Sequence, residues 1–250
     1  QIEELKQAHT QLVAQERLAA IGKIAAGIAH EIRNPLSAIK MNVQLLARKQ
    51  QQTGHAAERE YWEILNKEVN RLDRIVNDTL AYTQPPVLSR TWCDLHGILE
   101  ECTAIIRQAE PDVAVVAEYD WDIPRLYLDE GRIQQVVLNL LINACQSMAR
   151  NKRIGLATSQ AKRDGRAYVR LVVSDEGAGI PPENLERVYE PFFSTKARGI
   201  GLGLSISKRI VEEHGGHIEV ASREAGLAAN PRGDGWTTQF TILLPTTEAG

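Results

Sequence analysis

The stretch Gly22-Lys-Ile-Ala-Ala-Gly-Ile-Ala-His30-Glu31-Ile-Arg33-Asn34-Pro35-Leu36 decides how the first part of the chain folds. Apolar residues run through and beyond it at spacings that alternate between three and four, as in a bundle helix: Leu18, Ile21, Ala25, Ile28, Ile32, Leu36, Ile39, Val43 and Leu46. Two successive spacings of four, from Ile28 to Leu36, interrupt this alternation. Pro35 cannot donate a backbone hydrogen bond, so it predicts a bend at the same turn.

His30 lies two residues after Ile28, about 200° around the helix, and so points away from the apolar seam. A single helix histidine is usually structural, but the neighbours of this one favour chemistry. Glu31 can accept a proton from one ring nitrogen, which leaves the other nitrogen nucleophilic. Asn34 stands one turn further along on the same face with a neutral amide. These three residues are the predicted catalytic group.

The first helix is predicted to run to about Lys49, and the polar residues and glycine of 50–54 indicate a turn. A second helical pattern follows in Ile64, Leu65, Val69, Leu72, Ile75, Val76 and Leu80. Two helices joined by a short loop pack antiparallel, and one such hairpin cannot cover both of its apolar faces. We therefore expect two copies to form a dimeric four-helix bundle. Gln84-Pro85-Pro86 ends the second helix and marks a linker.

Composition excludes several classes of function. The chain has 250 residues, 43% of them hydrophobic and 24% charged, which suggests two modest units. A net charge of -3 gives no footprint for nucleic acid. Cys93, Cys102 and Cys145 lack metal-ligand spacing. No apolar run is long enough to span a bilayer and no signal peptide opens the chain, so we expect a cytoplasmic segment without membrane contact.

From Trp92 onward the pattern mixes helices and strands, which predicts an α+β sandwich. Helices are expected over Leu95–Arg107, Asp129–Met148, Pro182–Tyr189 and Leu202–His214. Strands are expected over Ala114–Tyr119, Ile154–Ser159, Tyr168–Ser174, Ile218–Ser222 and Thr237–Leu244. The chain thus divides into residues 1–17, the end of a coiled-coil connector; 18–83, the helical hairpin; 84–91, the linker; and 92–247, the second domain.

Two motifs of the second domain suit nucleotide chemistry. Asn139 and Asn143 are four apart on one helix face, where an amide oxygen can bind Mg²⁺ already carried by triphosphate oxygens; solvated amides are the alternative reading. Asp175 directly follows an apolar strand, and a carboxylate there can accept from an exocyclic amine. Gly177 and Gly179 allow backbone angles and a close approach that a Cβ would prevent.

Two further motifs follow. Glu190-Pro-Phe-Phe193-Ser-Thr-Lys196 carries two phenylalanines that would equally serve core packing, and a lysine suited to phosphate. Gly199-Ile-Gly201-Leu-Gly203-Leu204-Ser205 places alternate glycines before a helix, which exposes N–H groups to an anion. Either motif alone is weak evidence, and their order after the first two strengthens both.

The motif His-Glu-x-Arg-Asn-Pro resembles the phosphoacceptor box of two-component sensor histidine kinases, and the four later motifs resemble the Bergerat (GHKL) ATP-binding fold. The resemblance implies that His30 receives the γ-phosphoryl group of ATP and passes it to an aspartate of a response-regulator receiver domain. Glu31 would be the proton acceptor, and Glu31 with Asn34 would support dephosphorylation of the regulator. Asp175 would bind the adenine amine.

The cofactors implied by the resemblance are ATP and Mg²⁺, with Asn143 meeting the metal alongside the phosphates. The implied nucleotide-binding residues are Asn139, Asn143, Asp175, Gly177, Gly179, Ile180, Phe193, Lys196, Gly199, Gly201, Leu202, Gly203 and Leu204. The implied assembly is a homodimer, and the implied input is a sensor domain upstream of this sequence, in a full-length protein that is either free or membrane-anchored.

Two alternatives stay open beside the kinase. An ATPase clamp of the same fold would need a glutamate one turn before the metal-binding asparagine to activate water, and Asn139 holds that position. A degenerate scaffold that dimerises without catalysis would not require His30, Asp175 and Asn143 together. Both alternatives are therefore disfavoured by particular residues.

Overall fold

The computed structural model describes residues 32–43, 88–149, 152–196, 201–223 and 235–246, together with positions 62, 64–66, 68–70, 72, 75, 76 and 79. The chain divides into two compact units. One comprises Gln1–Pro86 and Phe192–Leu202, and the other comprises Val87–Pro191 and Gly203–Gly250. The predicted helix end at Lys49, the turn at 50–54 and the linker residues Gln84–Pro86 lie outside the described residues.

The first unit contributes two helical stretches. Helix α1 is described over residues 32–43 and continues through Pro35, and α2 is described at helical positions between 62 and 79. Leu65 and Ile75 are buried, and so is Asn42, whose side-chain amide donates to the carbonyl of Ala38 at 2.8 Å. Other apolar side chains are 47–58% exposed: Leu36, Met41, Val43, Trp62, Val69 and Val76.

The second unit is an α+β domain, as the sequence predicts. Its elements in chain order are β1 Thr91–Cys93, α3 Leu95–Ala109, β2 Ala114–Glu118, β3 Leu126–Leu128, α4 Glu130–Ser147, β4 Arg153–Arg163, β5 Arg166–Asp175, α5 Pro182–Leu185, α6 Gly203–Glu213, β6 His217–Ser222 and β7 Thr238–Pro245. The main sheet has the order β2-β4-β5-β7-β6, with β2 parallel to β4 and the other pairs antiparallel. Strands β1 and β3 form a separate antiparallel pair.

Local residue chemistry explains where the elements begin and turn. Asp94 caps α3 by accepting from the backbone N–H of His96 at 3.0 Å, and Asp129 caps α4 by accepting from that of Arg132 at 3.0 Å. The β4–β5 hairpin turns at Asp164-Gly165, where φ is 51° and 77°. Two positive φ angles in succession give the tight turn whose twist matches that of the flanking strands.

The core lies between one face of the sheet and helices α3, α4 and α6. Strand β7 alternates, with Phe240, Ile242 and Leu244 buried and the residues between them half-buried. These three residues pair in register with Val173, Leu171 and Val169 of β5, which are also buried. Helix α4 contacts α3, α6 and β5, so it crosses the centre of this core.

Several predicted boundaries differ from the structure. Strands β1 and β3 were not predicted, and β4 and β5 are longer than predicted. The helix expected over Pro182–Tyr189 is wrong in length, because α5 ends at Leu185 and hydrogen-bonded turns follow it. No helix among the described residues is long and apolar enough to cross a membrane.

Candidate functional site

Asp175 ends strand β5 as a buried carboxylate, 5% exposed. Its Oδ1 accepts from the Ser147 hydroxyl at 2.9 Å and from the backbone N–H of Gly177 at 2.9 Å. The second contact is a local turn in which an aspartate bonds the backbone two residues on. Thr238 of β7, which is also buried, pairs in register with Asp175 of β5. The carboxylate is therefore held in one orientation at the C-terminal end of β5, the central strand of the sheet.

The turn after Asp175 is built for close packing. Gly177 is buried, and a Cβ there would overlap the Ser147 side chain and approach Asp175 Oδ1. Gly179 has a φ of 79°, a conformation that favours glycine. Half-buried Ile180 donates its N–H to the hydroxyl of Ser222 at 2.8 Å.

The two predicted asparagines lie one turn apart on α4, both partly buried. The Asn139 amide donates to the hydroxyl of Ser207 on α6 at 2.9 Å. Gly203, the first residue of α6, lies so close that a Cβ on it would overlap Asn139 Oδ1. Asn139 therefore joins α4 to the start of α6, and Leu204 follows half-buried on that helix.

Phe192 and Gly201 have unusual backbone angles. Phe192 has a φ of 68°, rare for a bulky residue, and it donates its N–H to the carbonyl of Gly201 at 2.9 Å. Gly201 has a φ of 73°, and a Cβ there would overlap the Phe193 carbonyl. Leu202 is buried, Phe193 is half-buried and Lys196 is exposed.

A further tie joins α4 and α6 at their other ends. Buried His214, just after α6, accepts from the backbone N–H of Asp129 through Nε2 at 2.9 Å, and its Nδ1 donates to the carbonyl of Ile210 at 2.7 Å. The Asp129 carboxylate also accepts from the backbone N–H of Ser89 at 2.8 Å. Burial lowers the pKa of His214, and the nearby Arg90 adds to that effect.

The structure places the predicted residues in separate groups. Asp175 and Gly177 share contacts with Ser147, while Asn139 meets Gly203. Asn34 is exposed on α1. His30, Glu31 and Gly199 lie outside the described residues.

Sequence reasoning missed three hydroxyl groups, those of Ser147, Ser207 and Thr237. Ser147 lies four residues after Asn143, so the helical period could have found it. Thr237 donates its hydroxyl to the carbonyls of Asp175 and Gly177, at 3.0 and 2.9 Å. Its partners are backbone atoms, and no residue spacing signals such a contact.

The donor chemistry fits a purine nucleotide. A buried carboxylate can accept from an exocyclic amine, and the amide oxygens of α4 are hard ligands suited to Mg²⁺ beside phosphates. Gly177 and Gly203 let the side chains of Ser147 and Asn139 approach the backbone more closely than a Cβ would allow. The α4 face and the turn after β5 are therefore suited to an adenine nucleotide with its metal.

Two family models match the chain. Residues 20–85 match the His Kinase A (phospho-acceptor) domain, and residues 128–248 match the histidine kinase-, DNA gyrase B- and HSP90-like ATPase.

Among curated proteins, the signal transduction histidine-protein kinase AtoS of Escherichia coli (strain K12) is 32% identical over 98% of this chain and 38% of its own length. The sensor histidine kinase ZraS of Salmonella typhi is 36% identical over 92% of this chain and 47% of its own length. The chain thus spans less than half of these relatives.

A solved structure of the histidine kinase ThkA, in complex with the response regulator protein TrrA, superposes with a TM-score of 0.75 and 29% identity. The match covers 98% of this chain and 67% of the ThkA chain. The similarity therefore extends over nearly the whole of the present sequence.

Proposed function

The chain belongs to the sensor histidine kinase family, and we propose that it is an ATP-dependent protein-histidine kinase core that phosphorylates its own His30 and passes the phosphoryl group to a response regulator. The observation that carries the proposal is the buried Asp175 carboxylate, fixed by the Ser147 hydroxyl and the Gly177 N–H. A fixed acceptor at this position suits the amine of adenine, and the match of residues 20–85 to a phospho-acceptor domain supports His30 as the nucleophile.

In the proposed nucleotide site, Asp175 accepts from the adenine amine and Asn143 meets Mg²⁺ beside the triphosphate. The metal would neutralise charge that develops on the phosphate oxygens during transfer. Asn139 lies against Gly203 at the start of α6, whose first N–H groups would face phosphate. The family resemblance implies that Phe193, Lys196, Gly199, Gly201, Leu202 and Leu204 would complete the nucleotide-binding residues.

In the proposed transfer, a ring nitrogen of His30 attacks the γ-phosphorus while Glu31 accepts the proton of the other nitrogen. A nitrogen–phosphorus bond forms, the bond from the γ-phosphorus to its bridging oxygen breaks, and ADP leaves. An aspartate of a receiver domain then takes the phosphoryl group from His30. Asn34 would orient the water that later hydrolyses the aspartyl phosphate.

We propose a homodimer and a receiver-domain partner for this chain. The half-exposed apolar side chains of α1, Leu36, Met41 and Val43, support association through the hairpin. The ThkA structure, solved with a response regulator, supports the second partner. We also propose that the core works in the cytoplasm, where ATP is available, and that a sensor region elsewhere in the protein supplies the stimulus.

The decisive experiment is incubation with γ-labelled ATP and Mg²⁺, followed by acid and by base. Phosphohistidine is lost in acid and retained in base, whereas phosphoserine shows the reverse, so acid-labile label is the expected result. Label that survives acid would refute the kinase assignment. The alternative of a water-directed ATPase gains no support here, because Asn139 donates its amide to Ser207 and carries no basic group.

A further inference from the structure

The turn that presents Asp175 is held by Thr237, the residue just before β7. Thr237 donates its backbone N–H to the carbonyl of Asp175 at 2.8 Å, and its single hydroxyl proton is shared between the carbonyls of Asp175 and Gly177, at 3.0 and 2.9 Å. The side chain of Asp175 is held by the Ser147 hydroxyl and the Gly177 N–H. Gly177 links the two sets of contacts, because its N–H donates to the Asp175 carboxylate and its carbonyl accepts from Thr237.

A second group of contacts lies behind this turn. The indole of Trp236 is seated over Gly155 of β4, where a Cβ would lie 2.7 Å from Trp236 Cζ2. The guanidinium carbon of Arg153 lies 4.8 Å from the centre of the same ring. Arg153 Nη1 also pairs with Glu176 Oε1 at 2.6 Å. We call Arg153, Glu176 and Trp236 the clamp.

The contacts of the clamp and of Thr237 form a closed ring. Glu176 follows Asp175 in the chain, and Trp236 precedes Thr237. Arg153 joins Glu176 to Trp236 on one side, and Thr237 returns to the Asp175 carbonyl on the other. The peptide bond between Asp175 and Glu176 is thus held from two directions.

We propose that Thr237, supported by the clamp, is a positioning residue that orients the Asp175 carboxylate toward the amine of the nucleotide base. This inference rests on the proposed function, because it assigns to Asp175 the adenine contact. A small rotation of the peptide after Asp175 would lengthen the contact between the Asp175 carboxylate and the adenine amine. Recognition of the base would then be weaker. Contacts to the phosphates, made by other elements, are unaffected.

The test compares ADP with inosine diphosphate, which carries a carbonyl oxygen in place of the adenine amine. Calorimetry on the full chain measures both dissociation constants for the parent, Thr237→Val, which keeps the shape without the hydroxyl, and Thr237→Ser, which restores it. We expect Thr237→Val to weaken ADP binding about 5- to 10-fold, roughly one hydrogen bond's worth, and inosine diphosphate binding less than 2-fold. Thr237→Ser should be within 2-fold of the parent for both.

A purely structural role would weaken both nucleotides equally, which would overturn the proposal. So would a Thr237→Ser variant as impaired as Thr237→Val, or an unchanged ADP preference in Thr237→Val. The matched control is Thr241→Val, the same substitution at a position within β7, which should bind both nucleotides as the parent does.

The clamp has its own variant. Arg153→Met removes the guanidinium from both Trp236 and Glu176, and it should reduce the ADP preference about 2- to 3-fold, since the pair is partly exposed. A parent-like preference in Arg153→Met would contradict the clamp. Acid-labile labelling of the parent reports on the proposed function separately, so labelling together with an unaltered Thr237→Val refutes only this inference.

Discussion

The two units of the chain differ in how fully they bury their apolar side chains. In the α+β domain, Phe240, Ile242 and Leu244 are almost fully buried within one copy of the chain. On helix α1, Leu36 and Val43 are each 50% exposed, although they belong to the apolar seam that the sequence predicts. Full burial of such a side chain contributes about 1.5–3 kcal/mol, so the hairpin leaves stabilisation unused that the sheet domain has already gained.

This difference suggests a different function for each unit. A domain that completes its own core can bind a small ligand as a single copy, whereas a hairpin with open apolar side chains gains stability by association. If the division is real, a substitution in one unit should damage one activity and spare the other. The first three variants below test this division, and the last two test a finer division within each unit, from the largest expected effect to the smallest.

His30→Ala should abolish autophosphorylation, because no other group in the phosphoacceptor motif is a nucleophilic imidazole. Nucleotide binding should stay at the parent level, since the proposed nucleotide residues lie outside the hairpin. Label from γ-labelled ATP and calorimetry with ADP measure the two activities on the same preparation. A mutant that still acquires acid-labile label would show that the acceptor has been assigned wrongly.

Val43→Glu should weaken the dimer about 30- to 1,000-fold, because the charge enters a symmetric interface twice at roughly 1–2 kcal/mol or more each time. Ser37→Glu, at an exposed position of the same helix, is the matched control and should leave the dimer intact. Sedimentation over a range of concentrations distinguishes them. Equal dissociation constants for both variants would mean that the seam residues lie outside the interface.

Asp175→Asn should weaken ADP binding by about 5- to 150-fold, the equivalent of 1–3 kcal/mol. An amide keeps one oxygen to accept from Ser147 and Gly177, so the local turn should survive. It presents a donor where the adenine amine needs an acceptor. The melting temperature and the dimer should resemble those of the parent, and ADP affinity equal to the parent's would remove Asp175 from the base site.

The success of sequence reasoning followed the length and periodicity of each segment. Helices α3 and α4 were predicted within two residues at each end, since both are long, amphipathic and capped by aspartate. Strands β1 and β3 have three residues each, too few to show a period of two. The far ends of β4 and β5 were missed because charged side chains such as Lys162, Arg163 and Arg166 occupy the hairpin tip.

The candidate site was predictable wherever a side chain has chemistry of its own. Asp175 and Asn139 occur in motifs, and the structure shows each with specific contacts, although their roles remain proposals. Thr237 could not be predicted, because its hydroxyl donates to backbone carbonyls that any residue provides. Sequence patterns therefore reported the groups that would meet a ligand, and coordinates were needed for the groups that hold them.

Asn34→Ala should separate two activities within the hairpin itself. Transfer to His30 needs a nucleophile and a proton acceptor, and Asn34 is neither, so autophosphorylation should stay near the parent rate. Dephosphorylation of the regulator should slow about 10- to 100-fold, since the water loses its orienting amide. Decay of the regulator's aspartyl phosphate with ADP present measures this. Loss of both activities would instead mean that Asn34 supports the helix near Pro35.

The smallest expected effect is the pH dependence of the α+β domain, which His214 should govern in part. In the fold, its ring is buried and neutral, with Nε2 accepting from the Asp129 N–H and Nδ1 donating to the Ile210 carbonyl. Burial lowers the pKa of His214 below its ordinary value of 6.5; Arg90 lowers it further, while the Ile210 contact and the Asp129 charge oppose the shift.

The unfolded chain therefore binds the proton first as the pH falls. The stabilisation from neutral His214 is complete above about pH 6.5 and is lost progressively as the pH falls from there toward the depressed pKa of the folded state. A single group can change the free energy of unfolding by at most about 1.4 kcal/mol per pH unit within that window.

His214→Gln keeps an acceptor for Asp129 but cannot titrate, so its melting temperature should fall less between pH 7.5 and pH 5.5 than that of the parent. His217→Gln, at an exposed position of β6, serves as the control and should follow the parent curve. Parallel curves for the parent and His214→Gln would show that the buried ring does not titrate on unfolding, and the pH dependence would then come from other groups.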